Sequence, residues 1–309
     1  MLIRVLGSSA GGGFPQWNCN GANSSAVRNR KPGFRARSQS SLAVSSDGES
    51  WALLNASPDL RQQINETPAL WPHPDRGPRN SPIKAAVLTN GDVDHIVGLI
   101  HLREAQPFSV YGSDRVLSTL ASNSVFQVLA ADKVPRIELP LDRKIGISGA
   151  GVDLGVMVEA FPVPGKVALY LEDASQPGFG SQAGDTIGLK VTEARSGKAF
   201  FYIPGCARFD DDLAVRLDGA ALVFFDGTLF TDDEMLRQGL MAKTGGRMGH
   251  MNMSGPDGSM AAFAQIKVGR RVFVHINNSN PVLDENSEAR KAVESAGWEV
   301  GYDGMEIRL

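Results

Sequence analysis

Residues 83–99 read IKAAVLTNGDVDHIVGL. The run of Ile83, Ala85, Ala86, Val87 and Leu88 predicts a short buried strand that stops at Thr89-Asn90-Gly91. Ile96, Leu99 and Ile100 then recur at helical spacing, so a helix begins directly afterwards. Between the two elements stand Asp92, Asp94 and His95. A loop at the end of a buried strand lies on the rim of a sheet, open to a ligand yet held by a rigid scaffold. One Asp there would serve as a helix cap. Two Asp at i and i+2 beside a His exceed what a cap needs, and they offer the oxygen and imidazole donors of a metal or catalytic site.

Outward from this stretch, the composition is that of an ordinary soluble protein. The 309 residues can bury a substantial core as one large domain or two smaller ones. A net charge of −3 gives no electrostatic attraction for nucleic acid or an anionic membrane. The opening MLIRVLGSSAGGG has too short an apolar core for a signal peptide, and no run approaches the length of a membrane span. Cys19 and Cys206 are therefore expected as free thiols, and the protein as cytoplasmic with no membrane contact.

Upstream, residues 2–6 predict a first strand before the glycine-rich turn 7–13. That turn lacks the register of a phosphate loop and suits close backbone approach to a neighbouring loop or ligand. Residues 40–44 and 49–55 predict a hairpin about Asp47-Gly48, and Ser57-Pro58 the cap and first turn of a helix. The proline-rich 66–82 reads as a loop with His73 exposed in it. Downstream, 108–111 predicts a strand and 115–130 a helix, and His101 belongs on a helix surface. Strands are predicted at 136–139, 152–161, 167–171, 186–192 and 199–203. The second half repeats the habit of the first: 220–225 is a buried strand ending at Asp226-Gly-Thr, and 271–274 another ending at His275-Ile-Asn-Asn278. Between them His250 sits in a Gly- and Met-rich loop. With no composition break between the halves, residues 1–309 read as one domain with polar candidates gathered at its strand ends.

The strand-end pattern resembles the metallo-β-lactamase superfamily, which implies an α/β (α+β) four-layer αββα sandwich with a metal site at one edge of its two sheets. The superfamily signature is HxHxDH, then a His, an Asp or Cys, and a final His. Here the first motif reads Asn90-Gly-Asp92-Val-Asp94-His95, no His stands near 161–165, Cys206 falls loosely where the Asp or Cys ligand is usual, and His275 matches the final His. The passages 7–20 (GSSAGGGFPQWNCN), 55–64 (NASPDLRQQI), 89–104 (TNGDVDHIVGLIHLRE) and 164–174 (PGKVALYLEDA) narrow the resemblance to one branch. So do 202–207 (YIPGCA), 224–235 (FFDGTLFTDDEM), 248–253 (MGHMNM) and 272–287 (VFVHINNSNPVLDENS). That branch takes part in building pyrroloquinoline quinone (PQQ). Its members often carry two more cysteines after FPQWNC, forming a zinc knuckle; Gly21 and Ser24 stand there instead, so no closed four-ligand zinc site is expected.

Asn90 and Asp92 replace two of the histidines of one superfamily metal position, while the other keeps Asp94, His95 and His275. Two imidazoles and a carboxylate form the facial triad of mononuclear non-haem Fe(II) oxygenases, with open positions for O₂ and a substrate oxygen. Zinc accepts the same donors, which keeps a Zn(II) hydrolase acting on the precursor open. The resemblance implies hydroxylation of the tyrosine ring in a cross-linked Glu–Tyr unit to a catechol or quinone, with O₂ as co-substrate. It also implies the alternative of a non-enzymatic carrier that takes PQQ or its precursor towards the periplasm, and other PQQ-pathway proteins as partners. In the hydroxylase reading His250 is an acid/base or an extra ligand, and Asp226 and Asp92 orient ligands or coordinate directly. Asn277 and Asn278 are candidates to contact substrate carboxylates. Cys206 is left out of the ligand set, since buried cysteine is commonly a small apolar residue.

Overall fold

Strands with apolar residues on both faces need cover on both sides, and this chain provides it with a second sheet within and helices without. The computed structural model describes residues 1–309. One sheet takes β1 (Leu2–Gly7), β2 (Ser41–Ser45), β3 (Trp51–Leu54), β4 (Ile83–Val87), β5 (Ser109–Gly112) and β6 (Arg136–Glu138). The other takes β7 (Lys144–Gly149), β8 (Val152–Pro162), β9 (Ile187–Glu193), β10 (Ala199–Ile203), β11 (Ala220–Asp226), β12 (Val268–Val274) and β13 (Glu299–Val300). The last strand, β14 (Glu306–Arg308), returns to the first sheet and pairs antiparallel with β1.

The main core lies between the sheets, where Val5, Leu54 and Val87 of one meet Leu189, Phe224 and Val274 of the other. The first sheet's outer face packs on helices Leu60–Glu66 and Asp114–Ser122, and the second's on Asp211–Leu217, Ser259–Phe263 and Glu288–Ser295. This is the four-layer αββα arrangement of the metallo-β-lactamase fold. Under the second sheet Trp298 stacks on Phe273 with ring centres 3.9 Å apart and meets Phe263 edge-on at 4.8 Å. Phe263→Ala is expected to lower stability by about 3–5 kcal/mol, read from a urea melt, with metal binding of the folded fraction unchanged.

Both sheets place their parallel strands together: β3, β4, β5 and β6 in one, β10, β11, β12 and β13 in the other. Ligands bind outside the carboxyl ends of such strands. The ends of β4, β11 and β12 carry Asp94 and His95, Asp226, and His275 respectively. The two rims are stitched together by Ile276 N–H donating to Ser8 O at 2.9 Å and Ile187 N–H to Thr89 O at 2.9 Å.

Several expected elements differ. The strand expected at 167–171 is irregular and ends in a 3₁₀ turn, Leu169–Leu171, with all three side chains exposed. Its neighbour β9 is already paired on both sides, so no sheet edge is free for it. The helix expected over 115–130 stops at Asn123, whose side-chain amide takes Thr119 O at 2.7 Å in competition with the helix ladder. Ser57 is no cap: its hydroxyl meets Gln63 Oε1, and the helix starts only at Leu60. His73 is half-exposed, 3.5 Å from Glu49. β7, β13 and β14, not foreseen, are short or rich in polar residues and glycine. No helix is long and apolar enough to cross a membrane.

Candidate metal centre

Two residues with left-handed backbone conformation shape the rim. Asn55, at φ 64°, ends β3 and accepts from Thr89 N–H at 2.9 Å, fixing the loop that leads to His95. His275, at φ 57°, turns the chain sharply where β12 ends. A non-glycine residue there costs of order 1–3 kcal/mol and persists where the surroundings over-determine it. Here the flanking backbone is held by Ile276 N–H on Ser8 O and by Gly227 N–H on Val274 O at 2.8 Å. Asp92 occupies the N-cap position of the turn that carries His95, yet its carboxylate does not cap the helix; it accepts from Asn90 Nδ2 at 3.1 Å.

Asp94, His95 and His275 meet with donor atoms within 4.8 Å of one another, although 181 residues separate Asp94 from His275. Asp94 Oδ2 lies 3.1 Å from His275 Nε2 and 3.8 Å from His95 Nε2. His250 and Asp226 form a second group that shares His275, and the His250 and His275 rings stack at 5.0 Å. Asp92 joins neither group. Gly11 lies against the cluster: a methyl there would come 3.3 Å from Asp94 Oδ2, a tight contact.

Each of the three imidazoles has its Nδ1 engaged. His95 Nδ1 is 2.7 Å from Asn90 Oδ1, His250 Nδ1 is 2.7 Å from Asp226 Oδ2, and His275 Nδ1 is 2.8 Å from Thr228 Oγ1. Thr228 gives its own proton to Asp226 Oδ1 at 2.6 Å. These acceptors fix each ring with Nδ1 protonated and leave Nε2 as the coordinating atom, the arrangement in which outer carboxylates orient metal-bound histidines. His95 Nε2 is buried and has no partner at all. A buried polar atom left unpaired costs about 1–3 kcal/mol, and a metal ion beside Asp94 would satisfy it. The donors present therefore fit a metal.

Burial lowers the His95 pKa to about 4, against the pull of Asp94, so the ring is neutral at pH 7. At His275 burial also opposes charge, but the hydrogen bond and charge of Asp94, with Asp226 and Asp92 behind, outweigh it and raise the pKa. Burial raises Asp92, reinforced by the charge of Asp94. Asp94 itself is held low, because His95 and His275 more than offset its burial.

A beta-lactamase superfamily domain matches residues 50–276. Coenzyme PQQ synthesis protein B of Methylobacterium nodulans is 52% identical over 310 residues, covering all of both chains. Its counterpart in Xanthomonas campestris pv. campestris is 48% identical over 309 residues, again end to end. The chain belongs to the PQQ synthesis protein B family. The crystal structure of Zn(2+)-bound PqqB from Methylobacterium extorquens superposes with a TM-score of 0.94 at 49% identity, covering both chains fully.

In this member of the PQQ synthesis protein B family the cluster opens into a cavity of about 400 Å³. Asp92, Asp94, His250, His275, Asn277 and Asn278 all line it. Asn277 Nδ2 is spent on Ser279, while Asn278 Oδ1 is buried without a partner. Asp226 stands behind the histidines, fully buried, and also accepts from Cys206 N–H at 3.0 Å. Cys206 joins neither donor group: its thiol donates to Arg208 O, and burial with the charge of Asp226 pushes its pKa up. His101 lies away from this cavity. Sequence reasoning missed Thr228, which links Asp226 to His275; its signal was the Asp-Gly-Thr strand end. It also missed Lys166, Glu172, Lys243 and Arg247, which line the same cavity.

Proposed function

We propose that this chain, one domain over residues 1–309, is the iron-dependent tyrosine hydroxylase of PQQ biosynthesis. Family membership carries its place in that pathway. The observation behind the chemistry is the unpartnered Nε2 of His95 beside Asp94 and His275 in a cavity wide enough for an amino-acid-sized ligand. Asp94, His95 and His275 would hold Fe(II), which when bound supplies O₂ activation at a site with open positions. The chain's own residues do the rest. Asp226 and Thr228 hold His275 in its coordinating tautomer, Asn90 does the same for His95, and His250, backed by Asp226, takes or returns the proton of the ring oxygen. One O₂ converts the phenol of a Glu–Tyr unit to an ortho-quinone and one water, so a quinone product needs no outside reductant.

Anaerobic purification, addition of Fe(II) and exposure of the cross-linked Glu–Tyr dipeptide to O₂ tests this. Iron-dependent O₂ uptake with a +14 quinone product, read as +16 after chemical reduction to the catechol, is expected; hydrolysis with Zn(II) and no oxygenated product would replace it with a zinc hydrolase. That second reading draws support from the zinc in the Methylobacterium extorquens relative.

Metal affinity should rise with pH. His275, with its pKa raised, carries a proton near neutrality that an incoming metal must displace, whereas His95, near 4, does not. About one proton per metal should be released at pH 6, fading to none above the His275 pKa. The same sign makes the metal-free His275–Asp94 ion pair stabilising at low pH and lost as pH rises through that pKa. Competition titrations between pH 6 and 9 measure this, and a flat profile would remove His275 from the ligand set.

A further inference from the structure

One part of the cavity lining holds more positive charge than the carboxylate within it can balance. Arg247 grips Glu172 with both ends of its fork, Nη1 to Oε1 at 3.1 Å and Nη2 to Oε2 at 2.7 Å. Its guanidinium carbon also sits 3.7 Å from the centre of the Phe179 ring. Lys166 Nζ stands 3.8 Å from the same carboxylate, and Lys243 adds its field without pairing. Three cations thus gather about Glu172, while the other two carboxylates of the cavity lining, Asp92 and Asp94, lie with the histidines. The Lys166 stem passes close to Gly249, the residue before His250, where a methyl would come 2.9 Å from Lys166 Cγ. Lys166 follows residues 161–165, the stretch in which the superfamily's missing middle histidine was expected, and its charge reaches Asp92.

Partly buried cations with unused N–H donors are strong acceptor-binding groups, and three of them about one carboxylate attract an anionic ligand to that part of the cavity. We propose that Lys166, Lys243 and Arg247 form a carboxylate-recognition subsite, so that the cavity takes a ligand carrying at least two carboxylates and anchors it beside the histidine cluster. This rests on reading the cavity as the site of the proposed chemistry, and it names the groups that select the substrate there. Arg247 is pre-set by Glu172 and Phe179, while the two ammonium groups close on the ligand from their flexible stems.

The test is equilibrium binding of PQQ, a tricarboxylate, and of its uncharged trimethyl ester to the full chain. Wild type should bind PQQ at least about tenfold more tightly than the ester, the scale of one charge-assisted hydrogen bond, and added salt should erode only the PQQ binding. Lys243→Met and Arg247→Gln should each weaken PQQ binding about tenfold and leave ester binding unchanged. Glu172→Gln, which removes the shared anion, should hold or tighten PQQ binding, whereas a merely structural Arg247–Glu172 pair would make it fall with Arg247→Gln. Equal binding of PQQ and ester, or wild-type PQQ affinity in Lys243→Met, overturns the subsite. Turnover separates the two readings: charge-selective binding with no iron-dependent oxygenation would defeat the hydroxylase and leave the subsite, and the reverse result would do the opposite.

Discussion

His275→Ala is expected to abolish stoichiometric metal binding and, with it, turnover. His275 is the residue common to both donor groups, and its Nε2 stands 3.1 Å from Asp94. Removing it leaves Asp94 and His95, two donors on one short turn, which cannot close a facial triad. The fall in activity should exceed the roughly 10–100-fold typical of residues that only orient ligands. Thermal melts distinguish ligand loss from a collapsed fold. The backbone turn at 275–276 is held by main-chain bonds from Ile276 to Ser8, which an alanine keeps. Metal should raise the Tm of wild type through binding to the folded state alone and leave that of the variant unmoved. A His275→Ala protein that binds one metal and turns over would sink the proposed site.

Much of the fold was legible because its central strands are buried on both faces. β4 and β11, with small or aromatic apolar runs ended abruptly by polar groups, announce themselves at the residue level. Where the pattern misled, tertiary context overrode it. Val167–Leu171 has the composition of a strand but no sheet edge to join, and the apolar spacing over 115–130 runs through Asn123, where side-chain competition breaks the helix. β14, three residues long with alternating exposure, becomes a strand only because β1 offers it an edge.

The site was legible in parts. Asp94 and His95 are visible locally as more polar chemistry than a helix cap requires, and Asp92 makes no side-chain capping bond. Pairing them with His275 across 181 residues needed the superfamily pattern, since nothing local in HINN points back to DVDH. Thr228 and the cations around Glu172 stayed hidden for another reason. A threonine after a strand and lysines in a loop are what any surface contains, and only the closure of the two rims turns them into a lining.

Asp226→Asn tests how far the buried carboxylate governs the histidines without touching substrate. Oδ2 accepts from His250 Nδ1 and Cys206 N–H, while Oδ1 accepts from the hydroxyl and the N–H of Thr228. An asparagine has one acceptor oxygen, so whichever way it turns, its NH₂ faces buried donors, and at least one loses its partner at about 1–3 kcal/mol. If the NH₂ faces Thr228, that hydroxyl can no longer both donate to residue 226 and accept from His275, and the tautomer that frees Nε2 is no longer fixed. Metal affinity and turnover should each fall about 10–100-fold, with the Asp94–His275 contact retained. The acid limb of the stability curve gives an independent reading. Burial opposes the Asp226 charge, but His250, His275 and Thr228 outweigh it and depress the pKa, so the carboxylate stabilises the fold above the ordinary carboxylate range and loses that effect as pH falls through its folded value. Asp226→Asn should therefore be less stable at pH 7 yet flatter below pH 4. Wild-type metal affinity in this variant would mean that His275 is oriented by its strained backbone and not by the carboxylate behind it.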